Sequence, residues 1–156
     1  MIALDAGRLM TGRIDGETKF DTALHASLAL MSASARAGDN CGVLIFGRRI
    51  LKYLPPRRGV EHFDAVLEAL HDVEPAMVEP SYARAFQFIA SNLKKRAFVV
   101  VLTDVIDKIS SKELIGSLKL LRPRHLPLVA TIADRDLNAS VSRIPADLNE
   151  AFQQSA

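Results

Sequence analysis

Four short runs of near-continuous apolar residues punctuate the chain: MIALD from Met1, CGVLIFG from Cys41, AFVVVLTD from Ala97 and LPLVATIAD from Leu126. Runs without polar alternation are what strands covered on both faces produce, as in a parallel sheet wrapped by helices. The segments between them carry a helical period instead. KFDTALHASLALMSASARAG sets Phe20, Leu24, Leu28 and Met31 on one stripe, with Gly38 placed to stop the helix. VEHFDAVLEALHDV repeats the pattern through Phe63, Val66, Leu67 and Leu70, and SYARAFQFIASNLKK through Phe86, Ile89 and Leu93. SSKELIGSLKLLR offers Ser110 or Ser111 as an N-cap, and Pro145 is placed to open a last helix.

RRILKYLP follows the second strand after a tight turn near Gly47, too soon for a crossover helix. It is expected to pair antiparallel as an edge strand, blunted by Arg49, Lys52, Pro55 and Pro56. PRRGVEH reads as a loop, and the stretch after Gly7 as a basic, flexible segment. The predicted order is β, α, β, β, α, α, β, α, β, α. It gives an α/β fold: a three-layer, open, mostly parallel sheet with one antiparallel edge strand and helices on both faces.

Composition narrows the possibilities. At 156 residues and 49% hydrophobic, residues 1–156 suit a single domain with a substantial core. Twenty basic against 18 acidic residues leave a charge of +2, too little to draw nucleic acid or anionic lipid. The clusters GRR, PPRRG, KKR and RPRH are short and separated, and read as solvated loops and helix ends. One cysteine, Cys41, excludes an internal disulfide and sits in an apolar strand. The longest apolar run, AFVVVL, is far short of the roughly 20 residues a membrane span needs. No secretion leader is visible, so the expected setting is cytoplasmic.

Candidate chemistry gathers at strand ends. In open parallel sheets, ligands settle beyond the carboxyl ends of strands, where the winding direction reverses. Asp5 ends the first strand and Asp104 ends FVVVLTD, and with the first strand central these two strands are neighbours. Two carboxylates on one rim need a cation, protonation or hydrogen-bond donors. A divalent metal is one solution; capping of the following turns by backbone N–H groups is the other, and position alone favours capping.

The stretches LDAGRLM, KFDTALHASLAL, AGDNCGVLIFG, YLPPRRG, EPSYARAFQFI and VVVLTDVID, running in register from Leu4 to Asp107, resemble the von Willebrand factor A-like (vWA-like, Rossmann-like) domains. More narrowly, they resemble the bacterial "domain of unknown function 58" family. The resemblance implies a metal-ion-dependent adhesion site for magnesium, built from Asp-x-Ser-x-Ser, a second-loop Thr and a third-loop Asp. In this chain the aspartates fall on Asp5 and Asp104, the two serine positions on Gly7 and Leu9, and the second-loop position near Ser81. Both serine hydroxyls are gone, so the implied metal site (Asp5, Ser81, Asp104) is degenerate. Magnesium binding there is expected to be weak, with Thr11, Thr103 or Asp107 as helpers.

The expected function is therefore a non-catalytic protein–protein interaction module. Its binding surface is Asp5, Gly7, Arg8, Ser81 and Asp104, with Arg8 meeting an acidic group of the partner. The resemblance further implies a MoxR-type AAA+ ATPase as partner and a parent chain that is membrane-anchored in other members; the separated basic clusters without interleaved aromatics imply no nucleic acid. The chain starts at its first strand, which suggests a piece of a longer parent. The alternative is a divalent-metal-dependent hydrolase in which Asp5 and Asp104 position a water. His25, His62, His71 and His125 show no ligand spacing and read as surface or helix-end residues. No nucleophile elbow, Walker loop or dinucleotide fingerprint is present.

Overall fold

The computed structural model describes residues 1–105 and 108–132. A five-stranded sheet holds β1 (Ile2–Asp5), β4 (Cys41–Phe46), β5 (Ile50–Arg57), β6 (Phe98–Thr103) and β7 (Leu126–Thr131) in the order β5-β4-β1-β6-β7. A separate ribbon pairs β2 (Arg13–Ile14) with β3 (Glu17–Thr18). β1 lies between β4 and β6, parallel to both, and β7 is parallel to β6. Only β5 runs against its neighbour in this sheet, as its short connection requires.

Helices α1 (Lys19–Arg36) and α2 (Val60–His71) cover one face, packing Phe20, Met31, Val66 and Leu70 on Leu4, Val43 and Ile45. Helices α3 (Tyr82–Asn92) and α4 (Lys108–Leu118) cover the other, where Phe86, Ile89 and Leu114 meet Ala3, Leu44 and Val101. The alternation of side chains along each strand feeds two cores, which is why these strands show no polar face in the sequence.

Local chemistry explains the boundaries. Thr18 caps α1 in a capping box, its Oγ1 accepting from the Asp21 N–H while the Asp21 carboxylate accepts from the Thr18 N–H. Gly38, at φ 73°, ends it: Asp39 N donates to Ser34 O and Gly38 N to Ala35 O, a Schellman stop. Gly42 lets β5 approach β4, since a Cβ there would stand 2.6 Å from the Leu54 carbonyl oxygen and the Pro56 nitrogen.

Several expectations need correction. The stretch after Gly7 is structured: Arg8–Thr11 form a 3₁₀ turn, and Asp15-Gly16, both at positive φ, form the two-residue turn of the β2–β3 hairpin. Ser110 and Ser111 lie inside α4 instead of capping it, because the helix starts at Lys108. The loop expected over PRRGVEH shrinks to Arg58 and Gly59, between β5 and α2. Leu67 is exposed, since the buried stripe of α2 runs through Val66 and Leu70. The helix expected from Pro145 lies outside the described residues.

Candidate functional site: the crevice between β1 and β6

Chain direction reverses at β1: the connection through α1 leads to β4 on one side, and the later strands β6 and β7 add on the other. The switch point is thus between β1 and β6, whose ends are in register with Leu4 opposite Leu102. Asp5 and Thr103 follow at the same level, and Asp104 one residue beyond. The two expected carboxylates do share one rim.

Both carboxylates are dry, Asp5 at 1% and Asp104 at 6% exposure. Asp5 Oδ1 accepts from the Gly7 N–H at 2.7 Å. Its Oδ2 accepts from the Thr103 hydroxyl at 2.6 Å and from the Tyr82 phenol at 3.3 Å, and these two hydroxyls are 3.0 Å apart. Desolvation pushes the Asp5 carboxyl up to about 6, against the pull of the Thr103, Gly7 and Tyr82 hydrogen bonds and with a small further push from the charge of Asp104. Burial and the neighbouring Asp5 also raise the Tyr82 phenol above its ordinary value.

Asp104 is neutralised differently. The ammonium of Lys19, itself only 6% exposed, stands 2.5 Å from Asp104 Oδ2. Lys19 is the first residue of α1, after the Thr18 cap, where the exposed N–H groups of a helix disfavour a cation. The hairpin sets it in place, with Lys19 N donating to the Gly12 carbonyl at 2.7 Å.

The loop between α2 and α3 closes the crevice. Ala76 N donates to Ala6 O, Arg8 N to Val78 O, and Ser81 N to Gly47 O, all within 3.0 Å. A Cβ at Gly7 would meet Pro80 Cδ at 2.7 Å and both Asp5 Oδ1 and Val78 O at 3.0 Å, so the backbone there has no space for any side chain. Ser81 caps α3, accepting from the Arg84 N–H at 3.5 Å; it is the next residue, Tyr82, that reaches the Asp5 carboxylate. Arg8 is exposed and its Nε pairs with Glu79 at 2.8 Å. Thr11 donates to the Arg8 carbonyl and to Met77 Sδ, outside the cluster. Asp107 lies outside the described residues.

Of the five expected surface residues, Asp5, Gly7 and Asp104 are buried, Ser81 is half-buried and Arg8 is exposed. Lys19 and Tyr82 were missed, although a lysine directly after a threonine cap, where acids are favoured, is a readable signal.

Magnesium asks for near-octahedral oxygen. Here three of the four carboxylate oxygens already accept from protein donors, one of them an ammonium. The residue at the first serine position has no room for a hydroxyl. No group of three His, Cys, Asp or Glu suited to a metal occurs among the described residues. The residues of this crevice therefore do not fit a divalent cation.

Elsewhere, His25 and His71 are exposed and His62 meets the Cys41 carbonyl at 2.8 Å. His125, expected at the surface or a helix end, is 4% exposed, in the turn after α4 where its N–H donates to the Leu121 carbonyl. No described helix is long and apolar enough to cross a membrane.

A family described as "Protein of unknown function DUF58" matches residues 1–142. The SpRpn10 VWA domain is similar in structure, at 12% identity and a TM-score of 0.53, over 92% of this chain and 93% of that one. So is proximal thread matrix protein 1 (PTMP1) from the mussel byssus, at 12% identity and a TM-score of 0.53. That match covers 85% of this chain, which spans only 36% of the length of the mussel protein. No curated protein matches.

Proposed function

Because the chain belongs to the DUF58 family and has the fold of vWA domains, we propose that it is a non-catalytic protein-interaction module that docks its partner at the crevice mouth without a metal. The observation that carries this reading is that the buried carboxylates are neutralised from within, by Lys19, Thr103, Tyr82 and the Gly7 N–H. A catalytic carboxylate pair needs free lone pairs for a water or a cation. Three of the four oxygens here are committed to protein donors, which weighs against the hydrolase alternative.

The groups left for a partner are at the mouth: Arg8, paired at the surface with Glu79, and the exposed Met77. An exposed ion pair contributes little, about 0–1 kcal/mol, so a partner carboxylate can displace Glu79 from Arg8 at small cost. A planar guanidinium takes such a carboxylate in two parallel hydrogen bonds. The partner proposed is a MoxR-type AAA+ ATPase presenting an acidic group, in a cytoplasmic setting, with the parent chain held at a membrane.

Pull-down of a purified MoxR-type ATPase tests this. Capture by the wild type is expected to survive EDTA and to fall at least about tenfold in Arg8→Glu, a loss of about 1.4 kcal/mol. Equal capture by Arg8→Glu removes the proposed contact. Manganese-dependent phosphatase or phosphodiesterase turnover that disappears in Asp5→Asn would favour the hydrolase instead.

A further inference from the structure

A buried lysine at the first position of a helix needs a reason. Its ammonium loses hydration, and the dipole of α1 opposes it. The only ion pair of Lys19 among the described residues is with Asp104, 85 residues away in sequence, and both side chains are 8% exposed. Around that pair stand Asp5, Thr103 and Tyr82, joined to each other by hydrogen bonds of 2.6 to 3.3 Å. Apart from the ammonium, the side-chain groups joined in this cluster among the described residues are all oxygens.

We propose that Lys19 is a tethered cation standing in for a dissociable metal ion between the ends of β1 and β6, and that its removal uncovers a site for a hard divalent cation. Being covalently attached, the ammonium is present whatever the ionic composition of the solution, and chelators have no hold on it. It also fixes geometry: one bond joins the start of α1 to the end of β6, while the Gly12 carbonyl holds the Lys19 N–H at 2.7 Å. Truncation of Lys19 strands the Asp104 charge, and loss of one member of a buried pair is strongly destabilising. The Asp104 carboxylate is then free of its partner beside the Asp5 carboxylate and the Thr103 hydroxyl, and carboxylate oxygen is the donor class of magnesium and manganese. This assignment goes beyond the docking proposal and holds whether or not a partner engages Arg8.

Thermal melts and manganese titration by electron paramagnetic resonance test it on three chains: wild type, Lys19→Ala, and the doubly neutralised Lys19→Met/Asp104→Asn. Wild type is expected to melt at the same temperature in EDTA and in millimolar manganese. Lys19→Ala should melt lower in EDTA, recover part of the loss with manganese, and bind it at least about tenfold more tightly than wild type. Lys19→Met/Asp104→Asn keeps the packed stem without either charge; it should fold in EDTA and ignore manganese. If Lys19→Ala is insoluble in EDTA, refolding yield with and without manganese gives the same comparison. The assignment is overturned by a wild type that binds manganese as tightly as Lys19→Ala, or by a Lys19→Ala chain whose folding manganese does not improve.

Discussion

The same strands end in two different ways at opposite edges of the sheet. At the carboxyl edge of β1 and β6, five side chains and a backbone N–H form a dry polar cluster in which Asp5 and Asp104 are both answered. At the amino edge, an open groove of about 850 Å³ is lined by Met1, Lys94, Lys95 and Arg96 among others. There His125 is buried, and neither ring nitrogen has a hydrogen-bond partner among the described residues. Polar groups at the first edge are neutralised by residues from distant segments, 77 to 98 positions apart. At the second, the amino group of Met1 donates to the Phe98 carbonyl at 2.9 Å and Lys94 to the Ser91 carbonyl at 3.0 Å, both backbone acceptors, while His125 is unsatisfied. In a parallel sheet the carboxyl edge is where strand-to-helix loops converge, so donors from several segments can be gathered there.

The largest effect expected from breaking this contrast is at Gly7. Gly7→Ala drives a methyl into Pro80, Asp5 and the Val78 carbonyl. The cost should lie at the upper end of the range for overpacking, about 3 kcal/mol, read from urea denaturation. A negligible loss would mean that the loop over the crevice yields.

A second test uses pH. The native Asp5 carboxyl keeps its proton up to about 6, against an ordinary value of 3.8. The native state therefore binds more protons than the unfolded one in that window. The stability tied to Asp5 is full below about pH 3.8 and is lost as pH rises through 6, by on the order of 3 kcal/mol. Asp5→Asn should remove that slope, so its melting temperature relative to wild type rises between pH 4 and 6. Parallel profiles for the two chains would count against a raised Asp5.

The smallest effect belongs to the other edge. Burial, with help from Arg124 and the chain's amino terminus, holds the His125 imidazole below its usual pKa. Its neutral form is native, so the associated stability is present above the unfolded value and is lost as pH falls below about 6.5. His125→Leu removes the unpartnered nitrogens and should stabilise by about 1 kcal/mol near neutrality, with a larger gain at pH 5. Destabilisation at both pH values would show that the imidazole has a partner.

The readable parts of this chain were those governed by neighbours in sequence. Apolar runs marked β1, β4, β6 and β7 because strands buried on both faces leave no polar alternation, and the early return after Gly47 marked β5 as an antiparallel edge. The DUF58 resemblance and its vWA fold were legible from six stretches in register. The β2–β3 hairpin was overlooked although Asp15-Gly16 is a strong turn signal. The start of α4 was misplaced because serines suit caps without being confined to them.

Sequence alone determined the five strands of the main sheet, helices α1 to α4 and the two aspartates at strand ends, since period and capping act over a few residues. Only the tertiary structure decided what those aspartates meet. It brought Lys19 and Tyr82 to the crevice and Pro80 against Gly7, while Ser81 stayed on its helix end. Pairing of this kind depends on where loops cross the rim, and the free energy of a buried charge is settled by contacts that chain order does not record.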